Sequence, residues 1–325
     1  MRFKSKLVKL AVLVAAVLAF PAATVAQDYP NKPVKILVGY VAGGGPDMVA
    51  RALGLKLSEI LGQPFVIENR PGAGGSTATA QLAKMPADGY SLLLGETGQL
   101  VIAPHIFKSL AYDPLKDLTP IARVSVEPLL LVSSGKGSIK SMQDLLREVK
   151  ASPGKLDYGS SGVGTIHHIT MEVFKSDAGL EIGHIPYKGS GQSVPAILAG
   201  DVPLVITSFA AAGAHIRAGS INLLAVSSPS RLPSMPNVPT IAETVSGFDY
   251  SSEMGILAPA GLPPAVLAKL SAAIKQASES PDFIARFKDT ATAIIYNGPA
   301  DYSANLRNNL RKFERAVKLA KIQPE

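Results

Sequence analysis

The chain has 325 residues, with 32 basic and 25 acidic side chains for a net charge of +7, and it contains no cysteine. Disulfides and thiolate metal centres are therefore excluded, and an exported chain of this kind needs a core that stands alone. About 300 residues supply one, and that length favours two lobes.

The first element is an address. Arg2, Lys4, Lys6 and Lys9 precede an unbroken apolar run from Leu10 to Phe20, which Pro21 ends. Thr24-Val25-Ala26 places small residues where a signal peptidase reads. Residues 1–26 thus read as a cleaved signal peptide, too short for a membrane span, with an uncleaved anchor as the alternative. The reading predicts a soluble periplasmic chain. Without the leader's four basic residues, 28 basic face 25 acidic ones, a net charge of +3. That is too mild for a nucleic-acid partner, yet it leaves a favourable field for a small anion.

Strands and helices then alternate. Val34 to Val38 predicts a strand, followed by Gly43-Gly44-Gly45-Pro46 and a helix over Asp47 to Leu61. Val49, Leu53, Leu57 and Ile60 give that helix its apolar face, and Gly62 stops it. Phe65 to Glu68 predicts the next strand, then Pro71-Gly72-Ala73-Gly74-Gly75 and a helix to about Lys84. Ser91 to Leu94 is another strand. The unit recurs at Leu156–Tyr158 before the loop Gly159 to Thr165, and at His184–Tyr187 before Gly189-Ser190-Gly191. Val202–Ile206 and Leu223–Val226 read as further strands. The alternation implies an α/β fold with mixed, mostly parallel sheets flanked by helices. Crossings between lobes are expected near Ile121–Ser134 and at Pro229–Pro239 continuing toward Gly255–Pro259. They give a discontinuous first lobe, 27–124 plus 230–325, and a second lobe, 125–229. Pro263 to Ile322 is expected to be mainly helical.

Four glycine-rich loops each feed a helix start. Helix N-termini carry unpaired N–H groups and partial positive charge, and glycine lets backbone approach a ligand closely. Such places suit anions. Four to six hydrogen bonds to a charged group, at about 1.5–3 kcal/mol each, can leave roughly −8 kcal/mol, about micromolar affinity. The alternative is that the glycines only make tight turns. No nucleotide motif is complete: Gly72-Ala73-Gly74 leads to Thr77 where a third glycine is needed, and neither a P-loop nor a G-x-S-x-G elbow occurs. His168 and Glu172 share a helix face, but no third ligand is evident, so no metal and no cofactor is expected. His168 is either a ligand contact or a capping residue, while His167 is expected to face solvent. Asp47 reads as complementing its helix start, directly or through water. Arg70 and Lys188 are candidate counter-charges, and Tyr40 either packs against a ligand or belongs to the core.

These segments together resemble the Bug family, the solute receptors of tripartite tricarboxylate transporters. The resemblance rests on Tyr29-Pro30-Asn31-Lys32-Pro33-Val34, on Ala42-Gly43-Gly44-Gly45 with Asp47, and on Glu68-Asn69-Arg70-Pro71-Gly72-Ala73-Gly74-Gly75. Asp88-Gly89-Tyr90, Tyr112-Asp113-Pro114-Leu115-Lys116-Asp117, Ser160-Ser161-Gly162 with Gly164-Thr165 and His168, Pro186-Tyr187-Lys188-Gly189 and Leu257-Ala258-Pro259-Ala260-Gly261 extend it over nearly all of the chain after the leader. It implies a two-lobed type II periplasmic-binding-protein fold, a Venus flytrap. The implied ligand is a small carboxylate, held by backbone groups of the first two glycine loops and by water, with the Ser161–His168 loop closing over it. The expected contacts are Tyr40, Ala42, Gly43, Gly44, Asp47, Ala73, Gly74, Thr97, Ser161, Thr165, His168 and Thr207. A monomer delivering ligand to membrane permease subunits is implied, and no catalysis. Three positions depart from the family: Pro46 replaces Ser or Thr, Gly39-Tyr40 replaces Pro-Phe, and Thr207 stands where many members carry an acid. The last points away from an amino acid, toward an aliphatic mono- or dicarboxylate or an aromatic acid. The rival readings are a ligand sensor without transport, and a secreted hydrolase or lyase using Ser161 with His168.

Overall fold

A computed structural model describes residues 29–323, so the signal peptide read at residues 1–26 lies outside the described residues. The first sheet has six strands in the order β11 (Ala293–Asn297), β4 (Leu118–Glu127), β10 (Ser252–Pro259), β3 (Ser91–Glu96), β1 (Val34–Val38) and β2 (Phe65–Asn69), and the second five, in the order β7 (Gly183–Pro186), β6 (Asp157–Ser160), β8 (Leu204–Thr207), β5 (Leu130–Ser134) and β9 (Ile221–Val226).

The first sheet starts with β1 (Val34–Val38), which pairs in parallel with β2 (Phe65–Asn69) and β3 (Ser91–Glu96). Alternate side chains of a strand point to opposite faces. Val34, Ile36 and Val38 accordingly bury against α1 (Gly45–Leu61) and α8 (Pro264–Ser278), whereas Leu37 and Leu93 bury on the other face with α2 (Ser76–Leu82) and α10 (Pro299–Leu319). Both faces are covered, which is why these strands read as continuous apolar runs. Helix α1 begins at Gly45 with Pro46 in its first turn, two residues earlier than the sequence suggested, because proline is already preset for that position.

β4 (Leu118–Glu127) ends in the first sheet, and β5 (Leu130–Ser134) lies in the second. The chain thus changes sheets within two residues, with no separate linker. The second sheet adds β6 (Asp157–Ser160), β7 (Gly183–Pro186), β8 (Leu204–Thr207) and β9 (Ile221–Val226). Its helices are α4 (Met142–Ala151), α5 (Ile166–Ala178), α6 (Ser190–Ala199) and α7 (Phe209–Arg217). The return leads to β10 (Ser252–Pro259), which inserts antiparallel between β3 and β4. That segment was expected as part of a crossing, and it is a central strand. The C-terminal region, expected to be helical, also holds, after the short α9 (Pro281–Ala285), the strand β11 (Ala293–Asn297), antiparallel to β4 at the sheet edge. A five-residue edge strand between helices leaves little periodic trace. The parallel pairs are those built by the glycine-loop units, and the antiparallel pairs come from the crossing and edge strands.

One core runs through both sheets. Phe313 of α10 meets Tyr250 with ring centroids 5.6 Å apart, Tyr250 meets Phe248, and Phe248 meets Phe174 of α5. At the crossing, Ser227 donates its N–H to the Leu129 carbonyl (2.9 Å), and its hydroxyl accepts from the Leu129 N–H (2.8 Å). Among the described residues no helix is long and apolar enough to cross a membrane.

Candidate functional site

A cavity of about 440 Å³ opens between the two sheets, within the range of small-molecule sites. The first sheet contributes Tyr40, the start of α1 at Gly45 and Pro46, the Ala73-Gly74 loop, Glu96, Gly98, Glu127, Ser252 and Met254. The second contributes Ser161, the loop from Val163 into the first turn of α5 at Ile166 and His167, and the start of α7 at Ser208 and Ala210. The short α3 (Ala103–Ile106) and its flanks add Ile102, Ala103, Ile106 and Phe107. The walls are therefore mainly apolar, and among the described residues no Lys or Arg lines them.

Three long helices, α1, α5 and α7, point their N-termini at this space. Each such end leaves backbone N–H groups without intrahelical partners. In α5, Thr165 caps by accepting from the His168 N–H (3.3 Å), which leaves the N–H groups of Ile166 and His167 free toward the cavity. The Ala73-Gly74-Gly75 turn has positive φ throughout (44°, 59°, 94°), a conformation glycine adopts at little cost. It is also tight: a Cβ on Gly75 would stand 1.9 Å from Gln99 Oε1, whereas one on Gly74 would meet nothing within 4 Å.

The two carboxyl groups of the lining are Glu96 and Glu127. β10 runs between β3 and β4, with Met254 opposite Glu96 and Ser252 opposite Glu127. Residues two apart on a strand share a face, so this register brings both carboxyl groups to one end of the cavity. Glu96 accepts from the Tyr40 hydroxyl, the Ser252 hydroxyl and the Gly98 N–H (3.0 Å). Burial, and then the Glu96 charge and hydrogen bond, push the Tyr40 phenol well above its ordinary range. Glu127 is 7% exposed, and among the described residues its side chain makes no hydrogen bond. Its Oε2 lies 3.1 Å from where a Gly45 Cβ would be. Burial, and then the neighbouring Glu96, push its carboxyl up to about 7.

Of the twelve contacts expected from sequence, the structure brings Tyr40, Ala73, Gly74, Ser161 and Thr165 to the cavity wall. The other seven lie off it. Asp47 is buried and accepts from the Gly43 N–H, Arg51 Nε and Asn69 Nδ2, each at 2.9 Å. Ala42, Gly43 and Gly44 do not line the cavity either. Thr97 accepts from the Glu253 N–H (2.8 Å) and ties β3 to β10. Thr207 is fully buried at the end of β8, and the next residue, Ser208, faces the cavity in its place.

Of the two adjacent histidines, His168 takes the structural one of its two expected roles, and His167 departs from its expected place in solvent. His168 points inward, where its ring stacks on His184 at 4.1 Å and its Nδ1 accepts from the Gly164 N–H (3.3 Å). His167, expected in solvent, turns into the cavity. Its Nδ1 meets the Ser161 hydroxyl at 2.6 Å, and its Nε2 is buried without a partner among the described residues. Burial lowers its pKa to about 4, so the ring is neutral near pH 7. Arg70 pairs with Glu68, and neither Arg70 nor Lys188 lines the cavity. Sequence reasoning missed Glu96, Glu127 and the α7 start.

The sequence model of the tripartite tricarboxylate transporter family receptor matches residues 49–321. The protein BugT of Bordetella pertussis is 33% identical over 295 residues, covering 90% of each chain. Among solved structures, Rpa4515 of R. palustris with adipate is similar at a TM-score of 0.82 and 32% identity, over 92% of this chain and all of that one. The periplasmic binding protein BugD follows at 0.78 and 29%, over 91% and 100%. MatC of Rhodopseudomonas palustris with bound malate follows at 0.76 and 28%, over 89% and 100%. The fold is thus that of the periplasmic binding proteins, as the sequence resemblance implied, and this chain belongs to the tripartite tricarboxylate transporter receptor family.

Proposed function

We propose that this solute-binding protein captures a small carboxylate in the cavity between its sheets, outside the cytoplasm, and passes it to membrane permease subunits. The carrying observation is the convergence of the α5 and α7 N-termini, with free N–H groups, on a cleft that is largely apolar. Fixed dipoles there are attractive to an anion without any arginine. Two structural relatives hold adipate and malate, which supports the same ligand class. The two lobes that close on the ligand are those of the two sheets, with the boundary expected at residue 124 moved to 128–129, because β4 stays in the first sheet through Glu127. The chain works as a monomer and performs no reaction on its cargo.

A thermal-shift screen of the chain from residue 27 onward tests the reading, with aliphatic, aromatic and amino-bearing carboxylates beside sugars and metal cations. A ligand of the native state raises the melting temperature by mass action, about 2.7 kcal/mol of apparent stability at a hundredfold excess over Kd. At least one carboxylate is expected to do so. A sugar or a metal cation shifting the melt while every carboxylate fails contradicts the proposal.

A further inference from the structure

One side chain on the second-sheet wall of the cavity has hydrogen-bonding capacity that the fold does not use. His167 lies in the first turn of α5, and its Nδ1 meets the Ser161 hydroxyl at 2.6 Å, which fixes the ring against the loop between β6 and α5. Its Nε2 is buried and has no partner among the described residues. The residue as a whole is half-buried and lines the cavity, so Nε2 lies just beneath the surface that a ligand meets. A polar atom at that depth costs stability until something bonds it. The other two histidines of this region are committed: His168 accepts from the Gly164 N–H (3.3 Å), and His184 bonds the Ser160 hydroxyl (2.7 Å).

The surroundings decide what His167 can bond. The N–H groups of Ile166 and His167 are free toward the cavity, and Ser208, on the same wall, begins α7 without a side-chain cap on its own helix. Donors gathered at helix starts attract an anion. A neutral imidazole has one donor and one acceptor nitrogen, assigned by what the other nitrogen bonds. With an anion at this wall, a lone pair on Nε2 would face the lone pairs of the ligand. The favoured form has the Ser161 hydroxyl donating to Nδ1 and the ring proton on Nε2. Burial keeps the ring neutral near pH 7, so it acts as a directed donor and not as a counter-charge.

We infer that His167 is a ligand-contacting residue whose Nε2–H donates to one carboxylate oxygen of the captured molecule, while Ser161 positions the ring and the α5 backbone N–H groups receive the other oxygen. The first-sheet wall has backbone groups of its own at Gly45 and in the Ala73-Gly74 turn, and the His167 contact adds to them. Ser161, Thr165 and His168 are among the residues that carry the family resemblance, and His167 is not. The inference rests on the cavity being the carboxylate site, as proposed above.

The two ring nitrogens can be tested separately, because the amide nitrogen of glutamine reaches where Nε2 stands and that of asparagine only where Nδ1 stands. Adipate, malate and benzoate are titrated by calorimetry into the parent chain, and the tightest is carried to the variants. His167→Leu is expected to weaken binding about tenfold to a hundredfold, His167→Gln to return to within about threefold of the parent, and His167→Asn to stay as weak as leucine. The melting temperature of the empty leucine variant is expected to hold or rise, since the buried nitrogen leaves with the ring. Ser161→Ala is expected to weaken binding in the parent and to add nothing in His167→Leu. Unchanged affinity in His167→Leu overturns the inference, as does any result in which glutamine recovers no more than asparagine, which would confine the ring to its Ser161 contact. An equal loss from Ser161→Ala in both backgrounds overturns the positioning role of Ser161. If none of the three carboxylates binds the parent, the inference fails, and the receptor reading falls with it only if the wider carboxylate screen is also empty.

Discussion

Asp47 illustrates how a side chain next to a binding loop serves the loop rather than the ligand. Burial works against its charge, but hydrogen bonds from Arg51, Gly43 and Asn69 outweigh that and hold its carboxyl below the ordinary range. Asp47→Ala leaves the Gly43 N–H without its acceptor and removes one of the two acceptors of the Asn69 amide, which keeps the Tyr40 carbonyl. It is expected to lower stability by about 2 kcal/mol, a fall of roughly 4–8 °C in melting temperature near pH 7. Because the folded pKa is depressed, the contribution is present above the unfolded value of 3.8 and is lost as pH falls through the folded one. Thermal melts of the variant and the parent are therefore expected to differ at pH 7 and to converge toward pH 3. The structural role of Asp47 was legible, since an acid in a first helical turn has an obvious dipole to complement. Glu96 and Glu127 were not legible. Each is merely the last residue of a strand, 31 positions apart in sequence, and only the insertion of β10 between their strands brings them together.

At the scale of elements, the glycine loops were readable because positive φ favours glycine at Gly72, Gly74 and Gly75, and the Thr77 and Gln99 side chains leave no room for a Cβ at Gly72 and Gly75. The histidines of α5 were harder. Neighbouring residues on a helix face about 100° apart, so one enters the core whenever the other enters the cavity, and sequence does not say which. The choice is made by the aromatic stack beneath α5, where His184 lies between His168 (4.1 Å) and Tyr158 (4.8 Å) and bonds the Ser160 hydroxyl at 2.7 Å. Burial, and then the adjacent His168, lower the His184 pKa to about 4. The folded state thus resists protonation that the unfolded chain accepts at 6.5, so stability declines as pH falls from about 6.5 toward 4. His184→Phe keeps a ring in the stack and removes the proton. Denaturant melts across that range are expected to show a shallower decline in the variant; an unchanged slope would place the pH sensitivity elsewhere. Antiparallel β10 and β11 escaped the sequence reading for a different reason. Their strand character is decided by the neighbours they pair with, not by a local period.

For the whole molecule, two sheets share one continuous core through α10 and the Phe174–Phe248–Tyr250–Phe313 ring chain, and they part on the side where the cavity opens. The chain passes between the sheets at 128–129 and 227–251. The alternation of strand and helix made the architecture legible, since each glycine-loop unit packs the same way. The polarity of the cavity was not, because it depends on which strand ends face each other across the gap. The central claim is that this cavity is where the carboxylate is held. Ala210, exposed at the start of α7 on the cavity wall, offers the most direct test. A tryptophan there fills the space from a position that buries nothing in the core. Calorimetric titration of Ala210→Trp, beside the parent chain, with the carboxylate chosen by the screen is predicted to show no measurable binding while the melting temperature of the empty protein stays within about 2 °C. Unchanged affinity in that variant would contradict the account.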